Sequence, residues 1–100
     1  MTAQTQTLTY TIPFISDPGH GWGRVARSAI KDAGIADQIS QYSYQEGDHL
    51  VYLEEDCDLY LFIRALEQRG YKVKLDEQYV DRTHIRALPR YKETQQEKQT

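Results

Sequence analysis

The sequence predicts an α+β protein: a ferredoxin-like two-layer sandwich with the order β-α-β-β-α-β, two helices lying on a four-stranded antiparallel sheet. Three observations lead there. Stretches of period-two alternation occur near residues 8–14, 42–53 and 71–75. Apolar stripes at spacings of three and four lie between them, at 22–33 and 59–66. Glycines stand where each stripe should stop, at Gly34 and Gly70.

The first strand rests on Leu8, Tyr10, Ile12 and Phe14 alternating with Thr7, Thr9, Thr11 and Pro13. β-Branched threonines suit a pleated, half-buried surface. Pro13 has no N–H for a ladder, which sits badly with the central place this topology gives the first strand. Ser16–Gly23 reads as a loop, with three glycines that relax the backbone. The spacing of Trp22, Val25, Ala26, Ala29, Ile30 and Ala33 predicts a helix over Arg24–Ala33, stopped by Gly34 with Ile35 folding back, and Ala36–Ile39 adding a turn. Tyr42 and Tyr44, the turn Glu46-Gly47-Asp48 and the return His49–Leu53 predict a hairpin. Acids at 54–56 favour the positive end of a second helix, with Asp56 as N-cap and Leu59, Phe62, Ile63 and Leu66 as its core stripe. Tyr71, Val73 and Leu75 begin a last strand running to about Val80. The expected core packs Val25, Ala29, Ile30, Phe62, Ile63 and Leu66 on Tyr10, Ile12, Val51, Leu53, Val73 and Leu75.

One hundred residues support one domain. The division expected is a disordered lead at 1–6, a single domain at 7–80, a basic extension at 81–92 and a disordered tail at 93–100. A hydrophobic share of 39% and a mean hydropathy of −0.74 agree with some chain lying outside the core. No apolar run approaches the ~20 residues of a membrane span, and Met1–Thr7 lacks the charged-then-apolar pattern of a signal peptide. The single cysteine, Cys57, makes neither an internal disulfide nor a structural zinc site. A cytoplasmic protein is expected. Up to Val80 seven Lys/Arg stand against twelve Asp/Glu, and from Asp81 on five stand against three. Neither half has the concentrated basic face of a dedicated nucleic-acid binder.

Asp17-Pro18-Gly19-His20-Gly21-Trp22, Gly34-Ile35-Ala36-Asp37, Tyr42-Ser43-Tyr44 and Tyr52-Leu53-Glu54-Glu55-Asp56-Cys57-Asp58 together resemble a group of small uncharacterised proteins of bacteriophages and other mobile elements. The resemblance spans roughly residues 12–91. It implies a setting, that of a phage accessory protein in a host cell, and no catalytic residues.

The binding site is expected where the Asp17–Trp22 loop meets the Glu54–Asp58 strand end, with Asp17, His20, Trp22, Glu54, Glu55 and Asp56 as its residues. The argument is topological: in a split βαβ the first and third strands are parallel neighbours, so their C-terminal ends share one sheet edge. The loop has no Lys-Ser/Thr after its glycines and is no P-loop; a tight turn over a packed Trp22 accounts for it. The acids read as helix capping or as general acid–base and Mg²⁺ ligands, with Asp17, His20 or His84 completing a metal site. Cys57 reads as a packing residue, since the neighbouring acids oppose its thiolate. A second location is an open sheet face bearing Tyr42, Tyr44 and Tyr52, the way one RNA-binding module stacks bases. The acidic string after Tyr52 argues against phosphate there. Arg82, Arg86 and Arg90 read as a solvated tail or a basic helical face broken by Pro89.

Three functions follow. The first is a non-catalytic module that binds a host or phage protein, with no cofactor and no resident metal. The second is a nucleic-acid binder using the tyrosine face and basic tail. The third is a metal-dependent hydrolase or ligand-binding protein built on Asp17, His20 and Glu54–Asp58.

Overall fold

Residues 8–93 are described in the structure, a computed structural model. The lead at 1–6 and all but the first residue of the 93–100 tail therefore lie outside the described residues. The fold is α+β: β1 (Thr9–Ser16), β2 (Gly21–Ala26), α1 (Arg27–Asp32), β3 (Tyr44–Glu46), β4 (Leu50–Glu54), α2 (Asp58–Gln68) and β5 (Lys72–Tyr79), with 3-10 turns at Ala36–Gln38 and Ile85–Ala87. One five-stranded sheet runs β3-β4-β2-β1-β5; β1 and β5 are parallel and every other pair is antiparallel. The expected four-stranded antiparallel sheet is thus a five-stranded mixed one.

The extra strand takes the last three residues of the predicted Ser16–Gly23 loop and the front of the predicted Arg24–Ala33 helix. Gly21–Ala26 folds as β2 and only Arg27–Asp32 is helical. The reason lies in Gly21 and Gly23, which face the same side of the sheet as Val25. A Cβ on Gly21 would lie 2.3 Å from Phe14 Cζ, and one on Gly23 would lie 2.6 Å from Leu59 Cδ1. The two glycines let α2 and the β1 side chains close over β2, as a strand glycine at a close approach does. Trp22 points to the opposite face, so the apparent helical stripe mixes two sides of a strand. The β1–β2 ladder runs from Ser16↔Gly21 to Phe14↔Gly23 and stops next to Pro13. A proline with no N–H is therefore accommodated inside a central strand at the end of one of its ladders.

The other elements lie close to where the periodicity puts them. Gly34, at φ +76°, ends α1, and Ile35 folds back with its N–H donating to Ile30 C=O at 3.3 Å. Gly47 turns the β3–β4 hairpin at φ +63°, and Gly70 ends α2 at φ +93°. The N-cap position of α2 is Cys57 rather than Asp56. On the helix side Ile12, Val25, Ile30, Val51, Leu53, Leu59, Phe62 and Leu66 form the main core. Ile63 lies half-buried at its margin and Leu75 is exposed, because β5 is an edge strand only partly covered by α2.

The second face of the sheet is covered as well. Residues 81–91, expected to extend beyond the domain, cross it instead as a strap. Ile85 is fully buried against Trp22, Tyr44 and Tyr52, with Ile15 and Leu88 beside them. The strap then runs along the outer edge of β3: Gln45 N–H donates to Pro89 C=O at 2.9 Å, and Tyr91 N–H donates to Ser43 C=O at 2.8 Å. Tyr91 continues round that edge into the main core, where its hydroxyl donates to Ala36 C=O at 2.8 Å. Buried Arg27 fastens the same corner, donating to Asp48 C=O, Lys92 C=O and Gln45 Oε1 at 2.9–3.0 Å with Tyr91 beneath its guanidinium.

Because the strap is a layer of the fold, Ile85→Ala should destabilise the protein by about 2–5 kcal/mol, the cost of a core cavity. Urea unfolding of the variant against the parent chain measures this; a change below about 0.5 kcal/mol, the surface norm, would show that the strap does not dock.

Candidate functional site

The turn between β1 and β2 is built by Asp17. Its Oδ1 accepts from the N–H groups of Gly19 and His20 at 2.9 and 3.0 Å, and its own N–H donates to His20 C=O at 2.9 Å. This is the local bonding that makes Asp a turn residue. The same carboxylate also receives both terminal nitrogens of Arg86 from the strap, the second at 3.1 Å. Bidentate pairing with the Arg86 guanidinium, reinforced by the two backbone donors, holds the Asp17 carboxyl well below the usual carboxylate range and raises Arg86. Asp17 is thus an anchor between turn and strap.

In front of that anchor opens a cleft of about 550 Å³. Its floor is Trp22, with Tyr44 edge-on at 6.3 Å between ring centroids and His20 tilted against the indole at 6.1 Å. Two strap guanidiniums flank the rings, Arg86 5.0 Å from the centre of Trp22 and Arg90 4.8 Å from that of Tyr44. Glu54, Asp56, Cys57 and exposed Tyr42 complete the lining. The cleft therefore combines aromatic, acidic and cationic groups.

The β2–β4 ladder brings the two halves together. Trp22 is the register partner of Glu54, and Glu55 N–H donates to Gly21 C=O at 3.1 Å. The loop and the acidic strand end meet, but through an antiparallel pair rather than the parallel neighbours that the sequence argument used. Of the six residues expected there, His20, Trp22, Glu54 and Asp56 line the cleft, Asp17 is committed to Arg86, and Glu55 lies outside the lining. Tyr42 and Tyr44, expected on a separate open face, line this same cleft. Tyr52 is buried under the strap, edge-on to His84 at 6.0 Å, its hydroxyl donating to Glu46 Oε1 at 2.7 Å. That bond, with His84 nearby, draws the Glu46 carboxyl down; burial foremost, then Glu46, pushes the Tyr52 phenol up.

The acidic string divides by environment. Asp58, at the first turn of α2, is buried and accepts from Ser40 N–H, Ser40 Oγ and Ser43 Oγ at 2.6–3.0 Å. Glu54 Oε1 accepts from Cys57 N–H at 3.1 Å. Both tie the approach to β3 and the start of α2 in place. Cys57 is exposed rather than packed, and its thiol is pushed up by local desolvation first and then by Glu54, Asp58 and Asp56. Among the described residues, no three His, Cys, Asp or Glu side chains come together to hold a metal ion, and no helix is long and apolar enough to cross a membrane. Sequence reasoning missed Arg86 and Arg90 as cleft residues. The signal was present: Ile85, Leu88 and Tyr91 recur every three residues among those arginines, marking a segment with a face to bury.

The Asp17–Arg86 anchor predicts a pH dependence. A carboxyl lowered by folding contributes its full stabilisation above its unfolded value, about 3.9, and loses it as pH falls from there through the folded value. Thermal melts of the parent chain and Asp17→Asn should differ by a constant amount above about pH 4 and converge in stronger acid; an unchanging gap down to full protonation would remove Asp17 as the source. Comparison with family models, with curated proteins and with solved structures returns no match to this chain, which leaves the cleft's own chemistry as the guide to its use.

Proposed function

We propose that the chain is a non-catalytic binding module whose cleft takes a segment of a host or phage protein, as a phage or mobile-element accessory protein in the host cytoplasm. The observation that carries this is the state of the cleft's reactive groups. Glu54 accepts from a backbone N–H, the Cys57 thiol is pushed up by desolvation and its acidic neighbours, and Asp17, outside the lining, is bound by Arg86. What faces the cleft is contact chemistry: aromatic rings and arginines, the residue types that protein interfaces favour at their anchoring points, with carboxylates beside them.

Nucleic-acid binding has less in its support. Stacking needs free aromatic faces, and here Tyr52 is buried, Trp22 and Tyr44 are flanked by Arg86 and Arg90, and of the three tyrosines only Tyr42 is exposed. The expected ferredoxin-like relation is likewise not needed to bring the loop and the acidic strand end together, since the β2–β4 ladder does so.

His20→Ala with Asp56→Ala tests the proposal, since both side chains are exposed members of the lining. The double variant should melt within the range of surface substitutions, about 0.5 kcal/mol, and lose the protein partner that the parent chain retains in affinity capture from host cells. Undiminished capture with a normal melt would move the site away from the cleft. Capture of nucleic acid that falls steeply with salt would favour the second reading.

A further inference from the structure

The two edges of the sheet are treated differently. The β3 edge is occupied by the strap, through Gln45–Pro89, Ser43–Tyr91 and the Tyr44↔Arg90 bridge. At the other edge β5 is eight residues long and, among the described residues, no strand pairs with its outer side. Bare edges of that length are normally blunted, because their free N–H and C=O groups template further pairing.

The hydrogen bonds to β1 show which groups are free. Lys72 N–H donates to Leu8 C=O at 2.8 Å and Val80 N–H to Ser16 C=O at 2.9 Å. By strand alternation the even-numbered residues turn their backbone groups to β1, and Val73, Leu75 and Glu77 turn theirs outward. Side chains alternate as well. Val73, Leu75, Glu77 and Tyr79 lie on the helix side, where Ser16 Oγ donates to Glu77 at 3.0 Å; Lys72, Lys74, Asp76 and Gln78 lie on the strap side. Leu75 and Tyr79 are 41% and 61% exposed.

We propose that β5 pairs antiparallel with β5 of a second copy of this chain, about a two-fold axis at Leu75, to make a continuous ten-stranded sheet. A two-fold axis normal to the sheet keeps each face on its own side, so each residue must meet one of the same parity, and the outward-facing backbone groups then meet one another. With the axis at Leu75, the two Leu75 residues exchange both backbone hydrogen bonds, and Val73 pairs with Glu77 of the second copy. Lys74 then faces Asp76 of the second copy, and Asp76 faces Lys74, in the close non-hydrogen-bonded positions where opposite charges stabilise a pair. Moving the axis one residue either way sets Lys74 against Lys74 or Asp76 against Asp76. Charge complementarity thus selects a single register. The lysines, which elsewhere guard an edge, here have matching acids in their own sequence.

Sedimentation equilibrium of the unmodified chain should show a reversible dimer at concentrations up to about 1 mM, weakened by added salt. Amide exchange followed by NMR should slow with concentration at Val73, Leu75 and Glu77 and stay unchanged at Lys74 and Asp76. Lys74→Asp and Asp76→Lys should each weaken dimerisation about tenfold, having turned two attractive pairs into two repulsive ones. The double exchange should restore it. A chain that stays monomeric throughout, a dimer whose outward β5 amides exchange as before, or a double exchange no tighter than the single variants would each overturn the proposal.

Discussion

A sheet with two apolar faces and helices on only one of them governs the rest of this molecule. Both α1 and α2 lie on the side of Ile12, Val51 and Phe62, which leaves Trp22, Tyr44 and Tyr52 on a face that water disfavours. Among the described residues no third α-helix lies on that face, and about ten residues of largely irregular backbone cover it. Such a segment has little internal hydrogen bonding, so it is fastened from outside: by Asp17 to Arg86, by the β3 edge to residues 89–91, and by Arg27 to Lys92. Arg86 and Arg90 of that cover lie over the rings of Trp22 and Tyr44 and, with the acidic strand end, line the cleft.

Much of the order was written in local pattern. The hairpin at Gly47, the helix stops at Gly34 and Gly70 and the α2 stripe of Leu59, Phe62 and Leu66 depend on near neighbours and glycine conformation, which short-range periodicity reports well. The β2 strand was hidden for a physical reason. Gly21 and Gly23 have no side chains to show an alternation, and their role, allowing Phe14 and Leu59 to approach, is a tertiary one. Trp22, Val25 and Ala26 therefore looked like a helical stripe although they alternate across a strand.

The meeting of the Asp17–Trp22 loop with Glu54–Asp56 was readable because turns and charged strand ends collect at sheet edges, and several topologies bring the same ends together. The part played by Asp17 was not readable, since its partner Arg86 lies 69 residues away and charge alone gives no distance. The strap was obscured by composition: Arg82, Arg86 and Arg90 are interleaved with its apolar residues and suggest solvation, whereas the guanidiniums of Arg86 and Arg90 lie over the rings of Trp22 and Tyr44.

The strap's position in the chain has a consequence for synthesis. All five strands and both helices are complete by Tyr79, before any residue that covers the second face has been made. A nascent chain at that stage has its main core except Tyr91, presents Trp22, Tyr44 and Tyr52 to its surroundings, and lacks the Arg86 and Arg90 part of the cleft. Residues 81–91 close that interval. They also tie completion of the cleft to this segment, so that a chain interrupted near residue 80 would be adhesive.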